Sequence, residues 1–202
     1  SVDIGESTTD IVIYYEEGIQ HTATLGIGAA SITNDIASLL QIGIDEAEKI
    51  KRQYASAKAS MSSPDLEFEL PGQNGNLKRK ISENQLSQYV EARMYEILQL
   101  VMKEISRANL DDKLTFGMVL TGGGSELKNL SSLAQEISNI KVRIGQPENI
   151  SGSVEIASDP AFASAIGLTK WKFVEDDLII KNEEITISKA IGKVKSLFKE
   201  LF

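Results

Sequence analysis

The stretch that most constrains this chain is its first ten residues, Ser-Val-Asp-Ile-Gly-Glu-Ser-Thr-Thr-Asp. Apolar Val2 and Ile4 flank an acid, Asp3, and the short strand they predict runs into a tight Gly5-Glu6-Ser7-Thr8 turn. A second strand, Asp10–Tyr15, rich in β-branched and aromatic residues, returns from it. A turn of this kind aims consecutive backbone N–H groups at one point, which suits a phosphate chain. Thr8 and Thr9 add hydroxyl donors, and Asp3 could hold Mg²⁺ through water. An ordinary glycine-containing β-hairpin would read the same way, so the choice depends on the rest of the chain.

Two further stretches bear on it. Val119-Leu120-Thr121-Gly122-Gly123-Gly124-Ser125 predicts a strand that breaks into three glycines and opens a helix over Glu126–Ser138. Without Cβ atoms the backbone can be approached closely by a ligand, and a helix N-terminus favours a phosphate. The third stretch, Asp159-Pro160-Ala161-Phe162-Ala163-Ser164-Ala165-Ile166-Gly167-Leu168, sits in a predicted helix over Ala161–Trp171. In this order the three stretches resemble the phosphate-2, adenosine and second connecting motifs of the actin-like ATPase superfamily. That resemblance implies an α/β fold, an actin-like (ribonuclease H-like) ATPase lobe carrying a small α+β insertion. It also implies ATP and Mg²⁺ as cofactors. The nucleotide contacts would be Asp3, Gly5, Thr8, Thr9, Gly122, Gly123, Gly124 and Ser125, with Asp3 as the metal residue and no catalytic residue assigned.

Charge and rare residues narrow the chemistry. The formal net charge of −8 disfavours nonspecific nucleic-acid binding, and no nucleic-acid partner is expected. There is no cysteine, hence no disulfide framework and no thiolate metal site. His21 is the only histidine, which excludes a multi-histidine metal site and reads as a packing residue of a third strand, Ile19–Leu25. No apolar run approaches the roughly 20 residues of a spanning helix. The first residue is not Met and already lies in a predicted strand, so the chain reads as the second half of a longer protein.

After the strands, Ile32, Ile36, Leu39 and Leu40 predict a helix over Ala30–Gln41. From Gly43 a smaller unit begins, with Asp45 as the expected N-cap of a helix over Glu46–Ala55. Glu48 and Lys51 lie three apart on its face, which by itself is a solvated ion pair. By resemblance, Ala47-Glu48-Lys49-Ile50-Lys51 is similar to the helix whose Glu and Lys reach ribose and adenine. A hairpin is expected over Leu66–Leu70 and Leu77–Ile81, closed by Pro71 and the Gly72–Gly75 turn. Ser82-Glu83-Asn84-Gln85 matches a capping box. The helix it opens runs to about Ala108, with Leu86, Tyr89, Val90, Met94, Ile97, Leu98 and Val101 as its apolar stripe.

At the far end, Ile191, Val194, Leu197, Phe198, Leu201 and Phe202 share one helical face, while Lys189, Lys193, Lys195 and Lys199 supply the polar sides. This is the pattern of an interfacial amphipathic helix, with docking onto the protein body as the alternative. A terminal helix of this kind beyond an actin-like lobe resembles the FtsA family. So do Gly28 with Thr33-Asn34-Asp35-Ile36-Ala37, and Ala47-Glu48 with Lys51.

The resemblance to FtsA implies a domain 2A from 1–44 and 100–173, an inserted domain 2B from 45–99, a linker over 174–186 and a membrane helix over 187–202. In that helix Ile191, Val194, Lys195, Leu197, Phe198, Lys199, Leu201 and Phe202 would touch lipid. It further implies a scaffold on the cytoplasmic face of the bacterial inner membrane, binding ATP with slow or no hydrolysis. Its partners would be other copies of itself in a filament, anionic lipid and the FtsZ C-terminal tail, the last held by the insertion through Lys78, Arg79, Lys80 or Arg93. Glu6 and Ser7 depart from the family, which usually has glycines there. A kinase or chaperone-type ATPase of the same superfamily, or a PilM-like pilus assembly protein, stays open as an alternative.

Overall fold

A computed structural model describes residues 1–16, 18–70, 79–148 and 158–170. Its main sheet is built from β1 (Val2–Ile4), β2 (Thr9–Tyr15), β3 (Gly18–Leu25), β6 (Met118–Thr121) and β7 (Val142–Ile144), in the spatial order β3-β2-β1-β6-β7. The first three strands run as an antiparallel meander, and β6 and β7 add on in parallel.

Register explains why one face of this sheet is core. Ala23, Ile11, Val2, Leu120 and Ile144 stand opposite one another in a single row across all five strands. Side chains alternate between faces along a strand, so Ile4, Ile13 and Met118 join the same face and are buried. The opposite face carries a polar row, Thr24, Asp10, Asp3 and Thr121. Asp3 and Asp10 are direct cross-strand neighbours, an unfavourable pairing of like charges. Hydroxyls offset it at Asp10, where Thr24 and Thr8 donate to the two carboxylate oxygens.

The helices α1 (Ala30–Leu40), α2 (Ile44–Tyr54), α3 (Glu83–Arg107) and α4 (Leu130–Ser138) complete this unit, with a two-stranded ribbon of β4 (Glu67–Leu70) and β5 (Arg79–Ser82). α3 is the central support. Its buried stripe is Leu86, Val90, Met94, Ile97, Leu98, Val101 and Ile105, and it packs against α1, α4 and β5. Tyr89, expected in the stripe, lies on the exposed face. The capping box is formed, Ser82 Oγ accepting from the Gln85 N–H and Gln85 Oε1 from the Ser82 N–H.

Two expectations at helix starts are corrected. α2 begins at Ile44 with Gly43 as N-cap and no side-chain cap, so Asp45 lies inside the first turn, where with Glu46 it complements the helix dipole instead. The helix expected to open at Glu126 begins only at Leu130; Gly123–Glu126 is a 3₁₀ turn, and Asn129 has left-handed backbone at φ 61°. A long-range bridge explains the delay. Ser56 pairs with Lys128 in parallel fashion, and the Ala57 N–H donates to the Lys128 carbonyl at 2.8 Å, which holds this segment extended.

The chain divides into two units, Ser1–Ala163 and Ser164–Phe202. In the first, Asp159 caps a 3₁₀ turn at Pro160–Phe162, accepting from the Ala161 N–H at 2.7 Å. In the second, the described residues to 170 are helical. The segments expected as turn 72–75, linker 174–186 and membrane helix 187–202 lie outside the described residues, as do Pro71, Leu77, Lys78 and Trp171.

Candidate functional site

The glycines of the loop after β6 differ in what they are for. Gly122 has φ 81°, and a Cβ there would stand 2.1 Å from Asp3 Oδ1 and 2.6 Å from the Ile4 carbonyl oxygen. A Cβ on Gly124 would meet Ile4 Cγ2 at 2.5 Å. Both are therefore required by packing inside the protein. Gly123 is different, because its nearest neighbour in the direction of a Cβ is Ala161 Cβ at 3.7 Å.

Gly123 and Gly124 line an open cleft of about 910 Å³. Its opposite side is α2, which contributes Asp45, Glu48, Lys51 and Arg52. The start of α1 and Glu6 border one end, and Asp159, Ala161 and Phe162 the other side. The turn after β1 is tied to the start of α1, as the Ala29 and Ala30 N–H groups donate to the Gly5 and Glu6 carbonyls at 2.9 and 2.8 Å. Close approach is built in here as well, since a Cβ on Gly28 would stand 2.6 Å from the Glu6 carbonyl oxygen.

The cleft's charged groups are already engaged with protein partners. Glu48 Oε2 receives Lys51 Nζ at 2.7 Å and Thr33 Oγ1 at 2.6 Å, while Arg52 Nε donates to Glu48 Oε1 at 2.8 Å. Burial pushes the Glu48 carboxyl up, but the hydrogen bonds from Lys51, Thr33 and Arg52 outweigh it and hold the group at about 2. Lys128 Nζ donates to the Gln53 carbonyl and pairs with Glu83. Five carboxylates, those of Glu6, Asp45, Glu48, Glu126 and Asp159, border the same space, against the cations Lys51, Arg52 and Lys128.

The residues expected at a nucleotide site separate accordingly. Glu48, Lys51, Gly123 and Gly124 come together around the cleft. Gly122 and Ser125 shape the loop behind it, Ser125 being buried with its hydroxyl on the Gly122 carbonyl at 2.7 Å. Thr9 is fully buried in β2 and donates to the Ile27 carbonyl at 2.8 Å, so its hydroxyl holds the fold together. Thr8 donates to Asp10 Oδ2, and Gly5 closes the turn through an N–H bond to the Thr8 carbonyl at 2.9 Å. Asp3 stands against Gly122, at the base of the loop. Among the described residues no three metal-binding side chains cluster.

A family model described as cell division protein FtsA matches residues 1–167. The chain belongs to the FtsA family. The FtsA of Pseudomonas aeruginosa is 36% identical over 170 residues, which is 84% of this chain and 41% of that protein. The FtsA of Borreliella burgdorferi is 32% identical over 202 residues, 100% of this chain and 49% of that protein. The chain thus spans about half or less of the curated FtsA proteins it matches. Among solved structures, MreB5 of Spiroplasma citri bound to AMPPNP superposes with a TM-score of 0.72 at 19% identity, covering 90% of this chain and 54% of that one. A chain of the PilM–PilN type IV pilus biogenesis complex gives 0.61 at 20% identity, covering 83% and 43%. At such identities the likeness speaks for the fold, and the fold is the actin-like α/β lobe expected from the sequence.

Within this FtsA lobe, the cleft contains residues that the sequence motifs did not single out. Thr33, Arg52, Lys128 and Phe162 are the main ones. Thr33 and Phe162 lay in stretches that carried a resemblance, while Arg52 and Lys128 did not. Of the basic residues expected to meet FtsZ, Arg79 donates to the Leu40 carbonyl, Lys80 pairs with Glu67, and Arg93 forks onto Asp35 and pairs with Glu96, while Lys78 lies outside the described residues. The proposed lipid contacts from Ile191 to Phe202 lie outside the described residues.

Proposed function

We propose that this chain supplies one wall of the ATP cleft in a membrane-tethering, actin-like cell-division scaffold that polymerises and anchors FtsZ to the bacterial inner membrane. The observation that carries the nucleotide part is the position of Gly123, which lines the cleft and, alone among the loop's three glycines, has room for a Cβ without a clash. Glu48 across the cleft offers a carboxylate to a sugar hydroxyl. Phe162, partly exposed at the border, offers apolar surface to a base.

The acidic border favours a polyphosphate that arrives with its cation. Mg²⁺ neutralises phosphate charge, and Asp3 is the carboxylate we assign to hold it through water. In this reading ATP governs assembly rather than serving turnover. The membrane part rests on the sequence pattern of residues 187–202. The test has two arms. Calorimetry of the complete polypeptide should give Mg-dependent ATP binding, with weaker binding and no useful hydrolysis in this chain by itself; binding of equal strength in the chain alone would contradict a cleft with a second wall elsewhere. Sedimentation with anionic vesicles should be lost when residues 187–202 are removed or when Phe198 is changed to Glu. Retained sedimentation would remove the membrane role.

A further inference from the structure

Thr33 is buried in α1, yet its partners lie on α2, 15 and 18 residues further along the chain. Its hydroxyl has one proton to give. Glu48 Oε2 at 2.6 Å takes it in preference to the Ala29 carbonyl at 3.5 Å. Thr33 Oγ1 in turn accepts from Lys51 Nζ at 2.9 Å. Lys51, with its side chain only 12% exposed, has three N–H donors. They go to Glu48 Oε2 at 2.7 Å, Thr33 Oγ1 at 2.9 Å and the Ala29 carbonyl at 3.3 Å. The ammonium thus has a protein acceptor for each of its three donors.

The triad also has a downstream connection. Ala29, whose carbonyl receives Lys51, donates its own N–H to the Gly5 carbonyl in the turn after β1. A continuous hydrogen-bonded path therefore runs from Glu48, through Thr33 and Lys51, to Ala29 and the Gly5-Glu6 turn at the other end of the cleft. The ends of this path are the two places where the proposed nucleotide would be held, at its sugar and at its phosphates.

We infer that Thr33 and Lys51 are positioning residues for the nucleotide, locking the Glu48 carboxylate in place and fixing the helix carrying it to the phosphate-side turn. Both would act on the nucleotide through Glu48. This rests on the reading of the cleft as an ATP site, and it adds a clamping part to the ligand contact expected of Lys51.

The test is Mg-ATP titration of the complete polypeptide by calorimetry. Thr33→Val keeps the side-chain shape and removes the hydroxyl, so affinity should fall about tenfold, as for a lost hydrogen bond to a charged group. Thr33→Ser restores the hydroxyl and should bind within about threefold of wild type. Lys51→Met should weaken binding to a similar degree, and combining it with Thr33→Val should cost little more, because both break one network. If Thr33→Val does not fold, the Thr33→Ser and Lys51→Met pair carries the same comparison.

Wild-type affinity in Thr33→Val, or in Lys51→Met, overturns the inference while leaving the ATP site standing. A Thr33→Ser variant as weak as Thr33→Val overturns it too, since the methyl rather than the hydroxyl would then matter. Absence of ATP binding in the wild type overturns both the site and the inference built on it.

Discussion

Gly122, Gly123 and Gly124 are adjacent, yet substitutions in them should separate stability from binding. Gly122→Ala would place a Cβ on backbone at φ 81° and into Asp3 Oδ1 and the Ile4 carbonyl oxygen. Left-handed strain alone costs about 1–3 kcal/mol, so denaturant unfolding should show a loss at least that large; an unchanged midpoint would contradict the packing described. Glu48 gives a second residue-scale prediction. Its folded value near 2 is depressed from the ordinary 4.5, so the carboxylate's stabilising contribution is complete above 4.5 and is lost as pH falls toward 2. Lys51→Met removes a principal cause of that depression. The stability gap between wild type and Lys51→Met should therefore narrow as pH falls from 4.5 to 2, read by urea unfolding across a pH series. A gap independent of pH would mean that the Glu48–Lys51 contact contributes nothing through charge. The cleft was partly legible at this scale. Glycines and a Glu-x-x-Lys pair stand out in sequence because each is a local signature. Thr33 does not, because its meaning comes from partners 15 and 18 residues away.

α3 is where local code and tertiary role agree. Ser82 and Gln85 satisfy each other's backbone donors at its start, and the seven apolar positions from Leu86 to Ile105 face the core. Ser82→Ala should cost about 1 kcal/mol in thermal or denaturant unfolding, while a cost near zero would mean the cap is replaced by solvent. The same element was readable from the chain because its cap spans three residues and its stripe repeats at helical spacing. α4 was not, and its start lies four residues beyond the expected one. There the competing signal is the Ser56–Lys128 bridge, joining segments far apart in sequence. Likewise the strands of the sheet were visible as apolar alternation, whereas the pairing of β1 with both β2 and β6, which stacks Ala23, Ile11, Val2, Leu120 and Ile144 in one row, is a property of the assembled sheet. Thr9 shows the cost of reading hydroxyls by type: its position in β2 directs it to the Ile27 carbonyl and not to a ligand.

At the scale of the whole molecule, an FtsA-family lobe with an actin-like fold presents a cleft between its glycine loop and α2. The cleft's cations are occupied by protein partners, and its border is acidic. In the proposed reading this cleft takes a nucleotide that brings its own Mg²⁺, with Gly123 as its backbone contact. The direct measurement is Mg-ATP titration of the complete polypeptide, comparing wild type with Gly123→Val alongside thermal unfolding of both. The expected result is saturable binding by wild type and loss of measurable binding in Gly123→Val, with the unfolding midpoint little changed because the nearest atom to the new Cβ is 3.7 Å away. A stably folded Gly123→Val variant that bound Mg-ATP as tightly as wild type would contradict the placement of the nucleotide in this cleft.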